Sequence, residues 1–210
     1  MIELFGSALV TFLVIIDPPG CAPIFASLTR GTPRAHRRAM AFRSSWIAWI
    51  ILMFFALLGR PMLHALGISL ASFRIAGGIL LFYIAIDMVF ERRTQRRENR
   101  AHSIEGTPEA EDISVFPMAI PMIAGPGSIA SAMLWVSRAE DPAHVAIVLA
   151  AITVVMILTL VTLLASEPLM RLMGEKVEAM ITRILGVILA ALAAQFVVDG
   201  LKQSFPHALG

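Results

Sequence analysis

The sequence predicts an all-α membrane protein: six transmembrane helices forming two inverted three-helix repeats, with helices 1 and 4 interrupted at mid-membrane. Three observations predict it. Hydrophobic residues make up 58% of the chain and charged residues 15%, with a mean hydropathy of +0.79, whereas soluble domains carry about 45–50% apolar and about 25% charged residues. Six apolar runs approach the ~20 residues that a helix needs to cross ~30 Å of hydrocarbon. The second half of the chain also echoes the first.

The runs lie near 4–27, 42–66, 70–90, 114–136, 145–166 and 179–200. The first, MIELFGSALVTFLVII, has an acidic start, no basic n-region and no small-residue cleavage site, so it reads as a retained helix and not a signal peptide. The second is clean only from Trp46 to Gly59, and Arg43, Arg60 and Pro61 bracket it. Snorkelling arginines and a proline kink extend it to a full span. Residues 1–90 then form the first repeat, 91–112 a linker and 113–210 the second repeat. The linker mixes five arginines with six acidic residues and reads as flexible and solvated, its basic half lying next to helix 3 where lipid headgroups are in reach.

Arginine placement gives the orientation. Loops 1–2, 3–4 and 5–6 hold Arg30, Arg34, Arg37, Arg38 and Arg43, then Arg92, Arg93, Arg96, Arg97 and Arg100, then Arg171 and Lys176. The opposite face holds Arg60, Arg138 and Lys202. By the positive-inside rule the first set is cytoplasmic and both termini are outside. A sequence pI of 9.2 does not imply nucleic acid, because the formal net charge is only +2 and the arginines sit in short loops.

The repeat is read from Arg74-Ile75-Ala76-Gly77-Gly78-Ile79-Leu80-Leu81, echoed 109 residues later by Arg183-Ile184-Leu185-Gly186-Val187-Ile188-Leu189-Ala190. At nearly the same shift, Asp17-Pro18-Pro19-Gly20 meets Ala124-Gly125-Pro126-Gly127. Three helices is an odd number, so the second half enters the membrane from the opposite side, as in many secondary transporters. Gly77, Gly78 and Gly186 read as close-packing positions.

Both echoed segments predict broken helices. Pro18, Pro19 and Pro23 fall in helix 1, and Pro117, Pro121 and Pro126 in helix 4; proline removes a backbone donor and clashes with the preceding turn. Irregular backbone at that depth must face protein or a water-filled cavity. Pro18 and Pro126 suit the first turn of a new half-helix, whose orphan N–H groups and positive dipole end favour a carboxylate. The expected substrate site is therefore Asp17, Pro18, Pro19 and Gly20 with Ala124, Gly125, Pro126, Gly127 and Ser128. Asp17 is the one acidic residue near the middle of a span, and it reads either as a ligand of substrate or of a coupling proton or cation, or as a helix cap.

Arg74 with Asp199, and Arg183 with Asp87, are expected as two symmetric structural ion pairs or as snorkelling charges. Cys21, the single cysteine, reads as a buried small residue. The five histidines show no metal-ligand spacing, no H-E-x-x-H or G-x-S-x-G is present, and nothing implies a metal, a cofactor or an enzyme.

Through Asp17-Pro18-Pro19-Gly20-Cys21-Ala22-Pro23-Ile24-Phe25, Phe73-Arg74-Ile75-Ala76-Gly77-Gly78-Ile79-Leu80-Leu81 and Pro121-Met122-Ile123-Ala124-Gly125-Pro126-Gly127-Ser128-Ile129, the chain resembles the MarC family of bacterial inner-membrane proteins. Some similar proteins are described as transporters of small neutral amino acids, and the family is distantly similar to the lysine-exporter superfamily. The resemblance implies an inner-membrane transporter. The expected function is secondary transport of a small polar solute, a small neutral amino acid, by alternating access. An ion or metal exporter and a non-transporting scaffold or stress-response protein are the alternatives. The lipid bilayer is the expected partner, and the sequence is silent on oligomeric state.

Overall fold

The computed structural model describes residues 1–93, 95–97, 99, 112–139 and 141–205. These fold into α1 (Ile2–Ile16), α2 (Pro18–Leu28), α3 (Arg34–Ala65), α4 (Leu70–Val89), α5 (Ser114–Ile123), α6 (Pro126–Ser137), α7 (Pro142–Leu164) and α8 (Ser166–Ser204). Five helical stretches are long and apolar enough to cross a membrane: Ile2–Leu28, Arg34–Ala65, Leu70–Val89, Pro142–Leu164 and Ala179–Ser204. The pair α5 and α6, bent by 53°, makes a sixth if it counts as one span.

Local chemistry sets the element ends. Ser69 caps α4 by accepting from Ser72 N at 3.1 Å, and Asp141 caps α7 by accepting from His144 N at 2.8 Å. Glu91 turns left-handed (φ 59) just past α4 and reverses the chain. In α5, Pro117 and Pro121 withhold donors, Phe116 and Ile120 leave helical geometry, and the surviving bonds skip a residue: Met118 N to Ile113 O, Ala124 N to Ala119 O.

Packing places the broken segments at the centre. In its most apolar stretch Ile2–Leu28 is 72% buried, against 28% to 39% for the four other single-helix spans. Phe12, Ile15, Ile16 and Phe25 lie wholly inside. The outer helices expose Phe54, Leu57, Ile79, Phe82, Val161 and Val187, an apolar coat that suits lipid and would be a liability in water.

The helices pack in matched pairs. α1 lies on α7 and α5 on α3; α2 lies on α7 and α8, α6 on α3 and α4; α3 meets α7, and α4 meets α8 most extensively. α4 and α8 run antiparallel: Gly200 faces Ala71 and Ile75, Gly78 faces Ala193 and Val197, and Gly186 faces Met88 and Val89. A Cβ on Gly78 would lie 2.8 Å from the Ala193 carbonyl oxygen, so this backbone approach requires glycine.

One expectation changes here. The stretch expected as a solvated linker begins as helix at 92, 93 and 95–97, and Arg97 in it is only 7% exposed. Its acidic half up to 111 lies outside the described residues. The cause is the buried acceptors that these arginines reach, described below.

Gly78→Val is expected to push α4 from α8 and cost about 1–3 kcal/mol, read as a lower unfolding temperature in detergent. Gly6→Ala, with nothing within 4 Å of its Cβ, should leave that temperature unchanged or raised.

Candidate functional site

The first break is one residue long. Pro18 disfavours the α conformation at the residue before it, and Asp17 adopts φ 56, ψ 65, a left-handed conformation that aspartate tolerates better than most residues. Its Oδ1 accepts from Gly20 N at 3.1 Å and so caps α2. A Cβ on Gly20 would sit 2.2 Å from Asp17 Oδ2, so glycine makes room for the cap.

The second break has a different chemistry. Ala124 follows α5 as Asp17 follows α1, and Gly125 precedes Pro126 at the start of α6 with no side-chain cap. A Cβ on Gly125 would lie 2.4 Å from the Pro121 carbonyl oxygen. Ser128 Oγ donates to the Ile123 carbonyl at 2.8 Å, which satisfies the end of α5. The first N–H groups of α6 receive no such partner from Gly125.

Arg97 joins the two breaks. Its Nη1 lies 3.0 Å from Asp17 Oδ2, and its Nη2 donates to the carbonyls of Ile16 at 3.3 Å and Met122 at 3.4 Å. Asp17 is 2% exposed, so this is a buried ion pair whose remaining donors go to carbonyls that the breaks leave open. Arg93 donates to the Ile15 carbonyl and contacts Met88 Sδ at 3.0 Å. Burial, with Arg97 as the next contributor, lowers Arg93 to about 10. Arg96 pairs with Asp87 and donates to Tyr83 Oη at 2.7 Å.

A cavity of about 220 Å³ opens beside this cluster, lined by Ile15, Asp87, Arg93, Arg97, Gly127 and Ser128 among others. Of the sequence-predicted site, Gly125, Pro126, Gly127 and Ser128 are on its wall, whereas Asp17, Pro18, Pro19, Gly20 and Ala124 are not. Arg97 covers Asp17. The cavity is thus cationic and bordered by a helix N-terminus, an arrangement that attracts carboxylate or another small anion.

Arg93, Arg96 and Arg97 were not among the expected site residues. The signal for them was indirect: a lone buried aspartate needs a cation, and five arginines follow helix 3 within ten positions of its end.

The expected ion pairs are replaced by others. Asp199 pairs with Arg138, whose guanidinium stacks over Phe196 at 4.1 Å; Arg74 reaches Gln203 at 2.9 Å and the Ser137 carbonyl at 3.3 Å. Arg183 pairs with Glu91, and Asp87 with Arg96. Helix register explains the second exchange: Gly186 stands opposite Met88 and Val89, which sets Arg183 level with Glu91, beyond Asp87. Arg138 at the end of α6 takes the first aspartate, and Arg74 turns one helical turn along α8. Cys21 is buried, as expected.

A family model described as MarC family integral membrane protein matches residues 2–205. A UPF0056 membrane protein from Methanocaldococcus jannaschii is 36% identical over 201 residues, covering 96% of this chain and 97% of that one. A UPF0056 membrane protein from Archaeoglobus fulgidus is 34% identical over 202 residues, with 96% and 94% covered. The UPF0056 inner membrane protein YhgN of Escherichia coli K12 is 34% identical over 196 residues, with 93% and 95% covered. No solved structure matches the chain.

Asp17→Asn and Arg97→Gln should each destabilise the fold, by up to about 3–5 kcal/mol. The double variant should lose less than the sum, with a coupling of about 1–3 kcal/mol, measured by denaturant unfolding in micelles. Strictly additive losses would show that the two side chains do not pair.

Proposed function

The chain belongs to the MarC family of integral membrane proteins, and from that premise we propose that it is a secondary transporter of a small neutral amino acid, working by alternating access between two inverted halves. The observation that carries the reading is the cationic cavity at the two helix breaks. There Arg97 bonds Asp17, Ile16 and Met122 at once, and the uncapped start of α6 lies on the wall.

Packing supports the inverted repeat. Exchanging α1 with α5, α2 with α6, α3 with α7 and α4 with α8 turns most pairings of the fold, the most extensive ones among them, into another pairing of the fold. The glycine contacts follow the same exchange: a 109-residue shift carries Gly78 to within one position of Gly186 and Val197 to Met88, and both pairs are in contact. This is the pattern of a pseudo-two-fold axis in the membrane plane.

In this reading the solute carboxylate binds at the arginines and the α6 N-terminus, near mid-membrane where both spans are interrupted. The cavity wall includes Arg93, Arg96 and Arg97 of the loop that the positive-inside rule places in the cytoplasm, so the conformation faces inward. Arg97 then works as a latch. Its bonds to Ile16 and Asp17 on one half and Met122 on the other hold the halves together at the breaks, and they must exchange when one half rocks against the other.

Proteoliposomes containing the full chain are expected to show saturable counterflow of radiolabelled glycine or alanine, reduced about tenfold or more by Arg97→Gln. Folded protein that moves none of a panel of amino acids, or an Arg97→Gln variant with undiminished flux, would contradict the proposal.

A further inference from the structure

We propose that Asp87 is the subsite for the ammonium group of the solute. This rests on the transporter reading above and adds to it the second charge of a zwitterion. Asp87 lies near the end of α4, is 4% exposed and stands on the cavity wall. Its Oδ2 is held by Arg96. Among the described residues, no donor reaches its Oδ1, which is buried from solvent.

A buried carboxylate oxygen without a donor is costly, and most such atoms in folded proteins are satisfied. Here the unsatisfied atom belongs to a residue on the cavity wall, so a turn of the carboxylate about its soft terminal torsion presents it to a donor arriving in the cavity. Asp17, the carboxylate that the sequence singles out, is already committed: Oδ1 to Gly20 N and Oδ2 to Arg97. Asp87 retains accepting capacity and Asp17 has spent its own on structure.

The wall is chemically divided in a way that fits one class of molecule. Arg93, Arg97 and the first turn of α6 give one side of the wall positive charge for a carboxylate, Asp87 offers an acceptor to an ammonium, and Ile15 and Ile84 offer apolar contact. Gly127 faces Ile84 closely, and a Cβ there would lie 2.4 Å from its Cδ1, so the apolar space is small. A volume of about 220 Å³ holds a molecule the size of several waters, at about 30 Å³ per water. A small α-amino acid meets each requirement; an α-hydroxy acid of the same shape meets all but the one at Asp87.

The test is equilibrium binding of radiolabelled alanine and of lactate to the purified full chain in lipid nanodiscs. The wild type should prefer alanine by about tenfold or more, and Asp87→Asn should lose that preference while still binding lactate. An Asp87→Asn protein that keeps the preference, or a wild type that binds both equally, overturns the ammonium subsite and leaves the carboxylate site standing. A wild type that binds neither overturns both readings. Should Asp87→Asn not fold, the wild type decides: alanine and not lactate should protect Asp87 from a hydrophobic carbodiimide, mapped by mass spectrometry. Equal protection by both, or by neither, overturns the proposal.

Discussion

Backbone polar groups cannot be left open in hydrocarbon, and the rest of this structure depends on how that constraint is met at two interrupted helices. Each unsatisfied N–H or C=O in the bilayer core costs several kcal/mol, so a span can break only where something inside the protein closes the exposed groups. The first break closes itself partly through the Asp17 cap, and the second through Ser128. What remains falls to two guanidiniums: Arg93 bonds the Ile15 carbonyl, and Arg97 bonds carbonyls of both breaks and neutralises the aspartate that the first break requires. A charged segment after α4 is thereby drawn into the protein.

The difference between the two breaks follows from that arrangement. The first break has a carboxylate after α1 and the second has alanine after α5, so a single arginine suffices to balance the pair. The cluster Arg93, Arg96 and Arg97 still outnumbers Asp17 and Asp87, and α6 begins without a side-chain cap. Arg97 brings the two breaks together, and the unequal charges around them leave a cavity with a positive end and an unsatisfied acid.

Much of the fold was legible because it follows from local rules. Apolar runs near 20 residues located the spans, prolines located the breaks, and the glycines echoed between helices 3 and 6 marked the pair α4 and α8 that packs most closely. The site was legible only in part. Gly125 to Ser128, which line the cavity, stand out because proline and glycine punctuate sequence, whereas Arg97 is hidden by composition: a run of arginines between spans carries the same signature whether it is solvated or inserted. The ion pairs were misassigned for a related reason. Repeat arithmetic matches positions along two helices, but it does not show that Arg138 and Arg96 approach Asp199 and Asp87 from other segments.

The most direct test of the account is an electron cryomicroscopy structure of the full chain in lipid nanodiscs with alanine present. The Arg97 guanidinium is expected inserted between the ends of α1 and α5, in contact with Asp17, and the amino acid in the adjoining cavity with its carboxylate toward α6. Arg97 extended into solvent, with Asp17 bonded elsewhere and the cavity closed by other side chains, would contradict it.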